Sequence, residues 1–234
     1  IYRHTMRINS RLPEDRYDEI IAMCKAFSLT GQELEDEIKN VINVDIWMRQ
    51  FAIMSLLGIG DTYSQGNPHN LNFYVRPSDG KVEPMPWDWD FLFSQNPQSS
   101  LWGGHNFAKI PARSVYGRMF HGHLVDIIES TFNTEYMNYW LSHYGSVARE
   151  SYNGFSNNIR SRADYVMSRI PNQIPFTISS RLGNNLTVNG STADIAGSGW
   201  VDVSKVYIEG AELPLPIEWT DANSWKVSVP VQPG

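Results

Sequence analysis

Along "NVDIWMRQFAIMSLLG" the side chains Trp47, Phe51 and Met54, with Gly58 closing the series, recur at the spacing of one helical face. The pattern predicts a core helix. Upstream, "PEDRYDEIIAMCKAF" opens on Pro and acids, as a helix N-terminus prefers. Thr30 and Glu33 in "TGQE" have the spacing of a capping box, so a second helix is expected from there to about Val41. Helical periodicity returns in "ARSVYGRMFHGHLVDIIESTF", "NTEYMNYWLSHYGSVARESY" and "FSNNIRSRADYVMSRI". Between Ile59 and about Gln98 it breaks. There "GIGDTYSQGNPHN" is loop chemistry, and "LNFYV" and "KVEPMPW" are short strand-like runs joined by "RPSDGK", whose Asp-Gly pair signals a hairpin. After Ile170, "PNQIP" reads as a linker. The period then becomes two in "FTISS", "NLTVNG", "WVDVSKVYIEG", "LPIEWT" and "SWKVSVPV", which predicts short strands of an Ig-like sandwich. The expected fold class is α+β: a mostly helical body with a small β-hairpin over residues 1–172, then an all-β module over 176–234.

Composition narrows the function classes. The 234 residues are 41% hydrophobic and 12% aromatic, which is globular rather than disordered. A net charge of -6 argues against a general binder of nucleic acid or of anionic membranes. The longest apolar run, "FAIMSLLGIG", is about half of the roughly twenty residues a membrane span needs. The single cysteine, Cys24, permits no internal disulfide and is expected as a small buried hydrophobe. "IYRHTMRINS" has neither an apolar signal region nor an initiator Met, and "VSVPVQPG" stops straight after a strand-like run. Both ends read as cut from a longer polypeptide, with the β module short of the roughly hundred residues of a complete sandwich.

The chemistry concentrates in "PMPWDWDF", Pro84 to Phe91, where an aromatic segment carries Asp88 and Asp90. On an extended strand these two carboxylates share one side and repel. The nearest basic residues are Lys81 and Lys109, so a metal ion is the natural counter-charge; otherwise this is a hairpin with two solvated carboxylates. Upstream lie Asp61 in the loop after the core helix, then Asn67, His69 and Asn70. Helix, loop acid, loop amide, hairpin and second acid is the order used in kinase-type phosphoryl transfer, in which one carboxylate receives the proton of the attacking hydroxyl and an Asn and an Asp hold Mg²⁺. The H-R-D and D-F-G strings of ordinary protein kinases are absent. His121 and His123 point apart on a helix and are expected in packing or surface roles. "WGGHN" is expected as a flexible loop beside the site.

The stretch "VDIWMRQFAIMSLLGIGDTYSQGNPHNLNFYVRPSDGKVEPMPWDWDFLF" resembles the core signature of the CotH (spore coat protein H-like) kinases: an aromatic-rich helix into a loop Asp, a His-Asn pair before a strand, a hairpin, and a Pro-Trp-Asp-x-Asp end. The resemblance implies an atypical kinase-like C-lobe and a secreted or cell-surface bacterial Ser/Thr protein kinase that uses ATP and Mg²⁺ (or Mn²⁺) on surface or coat proteins. It places Asp61 as the catalytic acid, Asn70 and Asp88 as metal ligands, and Asp90 as a further ligand or support. Asn67 is a rival of Asn70, and His69 is in support. The nucleotide-gripping lobe is then expected upstream of Ile1, and this segment alone is expected to be inactive. Two other functions stay open: a non-catalytic surface, coat or adhesion scaffold, and a glycoside hydrolase with Asp61 and Asp88 as its carboxylate pair.

Overall fold

The computed structural model describes residues 17–63, 70–102 and 106–231. Helices α1 (Asp18–Ser28), α2 (Gly31–Val41) and α3 (Val44–Leu57) are followed by the antiparallel hairpin β1 (Leu71–Val75) and β2 (Val82–Pro86). A 3₁₀ turn (Asn106–Lys109) leads to α4 (Ser114–Ser130), α5 (Thr134–Ala148) and α6 (Phe155–Arg169). The tail holds β3 (Thr177–Ile178), β4 (Thr192–Ser198), β5 (Glu218–Trp219) and β6 (Ser224–Pro230) in one antiparallel sheet ordered β3-β4-β6-β5. The architecture is therefore mixed α+β, with two small antiparallel sheets.

The core is built around α3. Trp47, Met48, Phe51, Ala52, Met54 and Leu56 are buried, so the helix is enclosed on more than the one face its stripe predicted. Helices α4 and α6 and strand β2 pack on it. Trp47 stacks on Phe107 with ring centroids 5.0 Å apart, and its indole Nε1 donates to the Val82 carbonyl at 2.8 Å. That bond fixes the hairpin's second strand to the core helix. The hairpin turn is closed by Arg76, which donates to both carboxylate oxygens of Asp79, with Gly80 at φ 71.

Three local expectations are corrected. Thr30 occupies the N-cap of α2 with extended backbone, yet its side chain makes no capping hydrogen bond. Cys24 is exposed: the buried face of α1 runs through Met23, Ala26 and Phe27, and one residue along a helix turns the side chain by about 100° away from it. The tail shows one four-stranded sheet among the described residues and not two packed sheets; "NLTVNG" and "WVDVSKVYIEG" form no strand. At the start of the second run the physical reason lies in Arg118. Its buried guanidinium donates to the carbonyls of Gly199 (3.0 Å), Trp200 (2.6 Å), Val203 (2.9 Å) and Ala222 (3.1 Å) and lies 3.2 Å from the centre of the Trp219 ring. Those carbonyls are the groups a strand ladder would need. Trp200 and Val201 are drawn into the helical core, with Trp200 Nε1 donating to the Pro171 carbonyl at 2.7 Å. The sheet keeps a small core of its own from Trp225, Val227 and Val229.

Candidate functional site

Helix α3 ends at Gly58, whose φ of 55 is the left-handed C-cap conformation that glycine adopts without strain. Ile59 is buried and anchors the exit. Gly60 passes close to the segment beyond the hairpin: a Cβ there would sit 2.6 Å from the Ser94 hydroxyl, which would have to rotate away. Asp61 follows. Asn70 stands just before β1 at φ 56, and Asp88 just after β2 at φ 54. Asn and Asp are the side chains that tolerate this region best. Phe93, at φ 57, is not, and such a residue persists only where its surroundings over-determine it.

Asn70 is buried and ties the site together. Its amide Nδ2 donates to the Asp61 backbone carbonyl (3.1 Å), to Asp61 Oδ2 (3.0 Å) and to the Asp88 backbone carbonyl (3.1 Å). Three oxygens around Nδ2 settle the orientation of the amide, since a flip would set oxygen against oxygen. Its own oxygen therefore faces away from them. Asp61 Oδ1 is buried and, among the described residues, has no hydrogen-bond partner; the same holds for Trp89 Nε1 beside Asp88. A buried carboxylate oxygen without a donor is an acceptor held ready for a proton donor or a cation.

The structure thus brings Asp61, Asn70 and the backbone of Asp88 together. The Asp88 and Asp90 side chains are exposed, and among the described residues no hydrogen bond ties Asp90 to Asp61 or Asn70. The premise that the two acids share a strand face is corrected: β2 ends at Pro86, and Asp88 is left-handed, so the alternation of a strand does not apply. Asn67, His69 and the centre of "WGGHN" lie outside the described residues. His123 Nε2 bonds Asp45 Oδ1 at 2.8 Å, joining α4 to the start of α3. The His121 ring lies 5.6 Å from that of Trp102, and burial pulls its pKa down to about 4.

The segment after the acids returns to α3. Phe93 N–H donates to the Leu57 carbonyl (2.8 Å) and Gln95 N–H to that of Gly58 (3.0 Å). Behind this pairing stands Arg162 of α6, which no motif in the sequence singles out. The available signal was its place in the stripe Ile159, Arg162, Ala163, Val166: an arginine on a buried helix face.

A model of the CotH kinase protein family matches residues 4–170. The chain belongs to the CotH kinase family. The matched region contains α1 to α6 and the whole Asp61–Asn70–Asp88 arrangement, and it ends at the cap of α6 ahead of the tail sheet. A comparison with curated proteins gave no match.

A divalent ion is what a kinase-like family implies in general, and the donor set is compatible with one. Among the described residues no group of three or more His, Cys, Asp or Glu side chains lies together as a metal cage. Mg²⁺ in phosphate chemistry needs no such cage, because one or two carboxylates are completed by phosphate oxygens and water. The unpartnered Asp61 Oδ1, the Asn70 amide oxygen and the exposed Asp88 carboxylate are hard oxygens of that kind. No helix among the described residues is long and apolar enough to cross a membrane.

Proposed function

We propose that this CotH-family lobe carries out phosphoryl transfer from ATP to a Ser or Thr hydroxyl of a surface or coat protein. The observation that carries the reading is the Asn70 amide, which locks Asp61 beside the Asp88 segment while Asp61 Oδ1 has no partner among the described residues. In this reading Asp61 orients the attacking hydroxyl and takes its proton. A bond forms from the hydroxyl oxygen to the γ-phosphorus, and the bond from that phosphorus to the bridging oxygen of the departing ADP breaks. Asn70 and Asp88 present oxygens to Mg²⁺ or Mn²⁺, with Asp90 in support; when bound, the ion supplies electrostatic stabilisation of the phosphate charge. The exposed Trp87 and Phe91 flank the acids, and a protein substrate is a suitable cover for them. Secretion and a bacterial source belong to the same reading. Asp61→Asn and Asp88→Asn, assayed in the full-length protein for transfer of labelled γ-phosphate, test it.

A non-catalytic coat or adhesion scaffold is the second reading. The observation in its favour is α5, whose only buried residue is Gly145 and which exposes Tyr136, Tyr139 and Tyr144 around Trp140.

A further inference from the structure

Arg162 is 2% exposed, and its hydrogen bonds all run to uncharged oxygens. Nε donates to the Ser55 carbonyl at 3.0 Å, and Nη2 donates to the Ser55 hydroxyl at 3.0 Å and the Ser100 carbonyl at 3.4 Å. Nη1 donates to the carbonyls of Pro97 at 2.9 Å and Ser99 at 2.6 Å. The planar fork of an arginine has five N–H donors, and here it meets five acceptors; a lysine has three donors and no fork. Burying a charge without a counter-charge is expensive, and a leucine or methionine would continue the apolar stripe of α6 at less cost. Generic core packing therefore does not account for this residue.

Its partners do. Ser55 lies in the last turns of α3, the helix that delivers Asp61. Pro97, Ser99 and Ser100 lie on the segment that leaves Asp88 and Asp90. Between these two anchor points run the Phe93–Leu57 and Gln95–Gly58 backbone bonds. One side chain thus holds both acid-bearing segments from behind, away from the solvent side where Asp88 is exposed. We propose that Arg162 is a positioning residue for phosphoryl transfer: it sets the separation of the Asp61 and Asp88 segments through Ser55 and the 97–100 carbonyls. The proposal rests on the kinase reading for its catalytic consequence.

The test compares Arg162→Lys and Ser55→Ala with the wild type in the full-length protein. Amide hydrogen exchange and Mg²⁺-dependent transfer kinetics are followed. Arg162→Lys should lose protection at Phe93, Gln95 and their neighbours at least about tenfold, with the α4 amides of Phe120 and Leu124 unchanged. Its kcat should fall about 10- to 100-fold, the scale of an ångström-level misplacement, with the protein-substrate KM held within about twofold. Ser55→Ala, which keeps the arginine and most of its bonds, should show the same local loosening and a smaller fall in kcat, and it decides the matter if Arg162→Lys does not fold. Exchange that rises uniformly across α4 and the 93–100 segment would show a merely structural residue and overturn the proposal. So would variants that turn over like an active wild type. A wild type without transfer, together with local loosening in the variants, would instead sink the kinase reading and leave the clamp standing.

Discussion

Replacing Asn70 by alanine removes a side chain that bonds directly to both Asp61 and Asp88, and the structure sets the size of the effect. Nδ2 makes three contacts with two protons: one to an ionisable carboxylate and two to backbone carbonyls. A hydrogen bond to a charged group contributes about 1.5–3 kcal/mol and a neutral one about 1 kcal/mol. Sharing two protons among three acceptors lowers the sum, so the side chain is worth about 3–4 kcal/mol. Alanine also takes a φ of 56 badly, at a further cost of about 1 kcal/mol that glycine does not incur. The expected order is therefore Asn70→Ala least stable, by about 4–5 kcal/mol, and Asn70→Gly about 1 kcal/mol better. Urea unfolding followed by tryptophan fluorescence reads both, provided the slope of the transition is unchanged. A loss below about 1 kcal/mol in both variants would refute the bridging role. An alanine variant no worse than the glycine variant would refute the backbone part alone.

Two further outcomes follow from buried cations and from histidine. Arg118→Met should cost about 3–5 kcal/mol in thermal or denaturant unfolding, because four carbonyls lose their donor at once; a loss under about 1 kcal/mol would mean that the tail is not held by this residue. His121 is buried with its pKa pulled down to about 4 from an ordinary 6.5. The unfolded chain therefore binds more protons than the folded one between those values, and stability should fall by up to about 3 kcal/mol as pH drops from 7 to 4. His121→Phe, which keeps an aromatic ring against Trp102, should flatten that window, and an unchanged acid slope would assign it to other groups.

The helical body and hairpin were legible because their signals are local and redundant. The α3 stripe, the Asp-Gly turn and the loop chemistry after Gly58 each point to the element that forms. Asp61, Asn70 and Asp88 stand out through the order helix, loop acid, loop amide, hairpin and second acid, and through the resemblance to the CotH signature. What was hidden depends on partners distant in sequence. The alternation in "WVDVSKVYIEG" looks like a strand from its first residue until Arg118, some eighty residues earlier, takes the carbonyls of Trp200 and Val203. The common face imagined for Asp88 and Asp90 assumed that β2 runs on, whereas the left-handed turn at Asp88 redirects the chain. Arg162 reads as one more surface charge unless the stripe around it is seen to be buried. Thr30 stands at a helix start with the right backbone and lacks only the bond that names a capping box.

Transfer of labelled γ-phosphate to protein Ser or Thr, measured with and without Mg²⁺ in the full-length protein, its Asp61→Asn form and its Asp88→Asn form, tests the central claim most directly. The account predicts Mg²⁺-dependent transfer by the wild type and a loss of about 10²-fold or more in each variant, since each removes one charge from a site that works by positioning and electrostatics. Both variants should still fold. A wild type that neither binds nor uses nucleotide with Mg²⁺, or an Asp61→Asn protein that transfers phosphate as fast as the wild type, would contradict it.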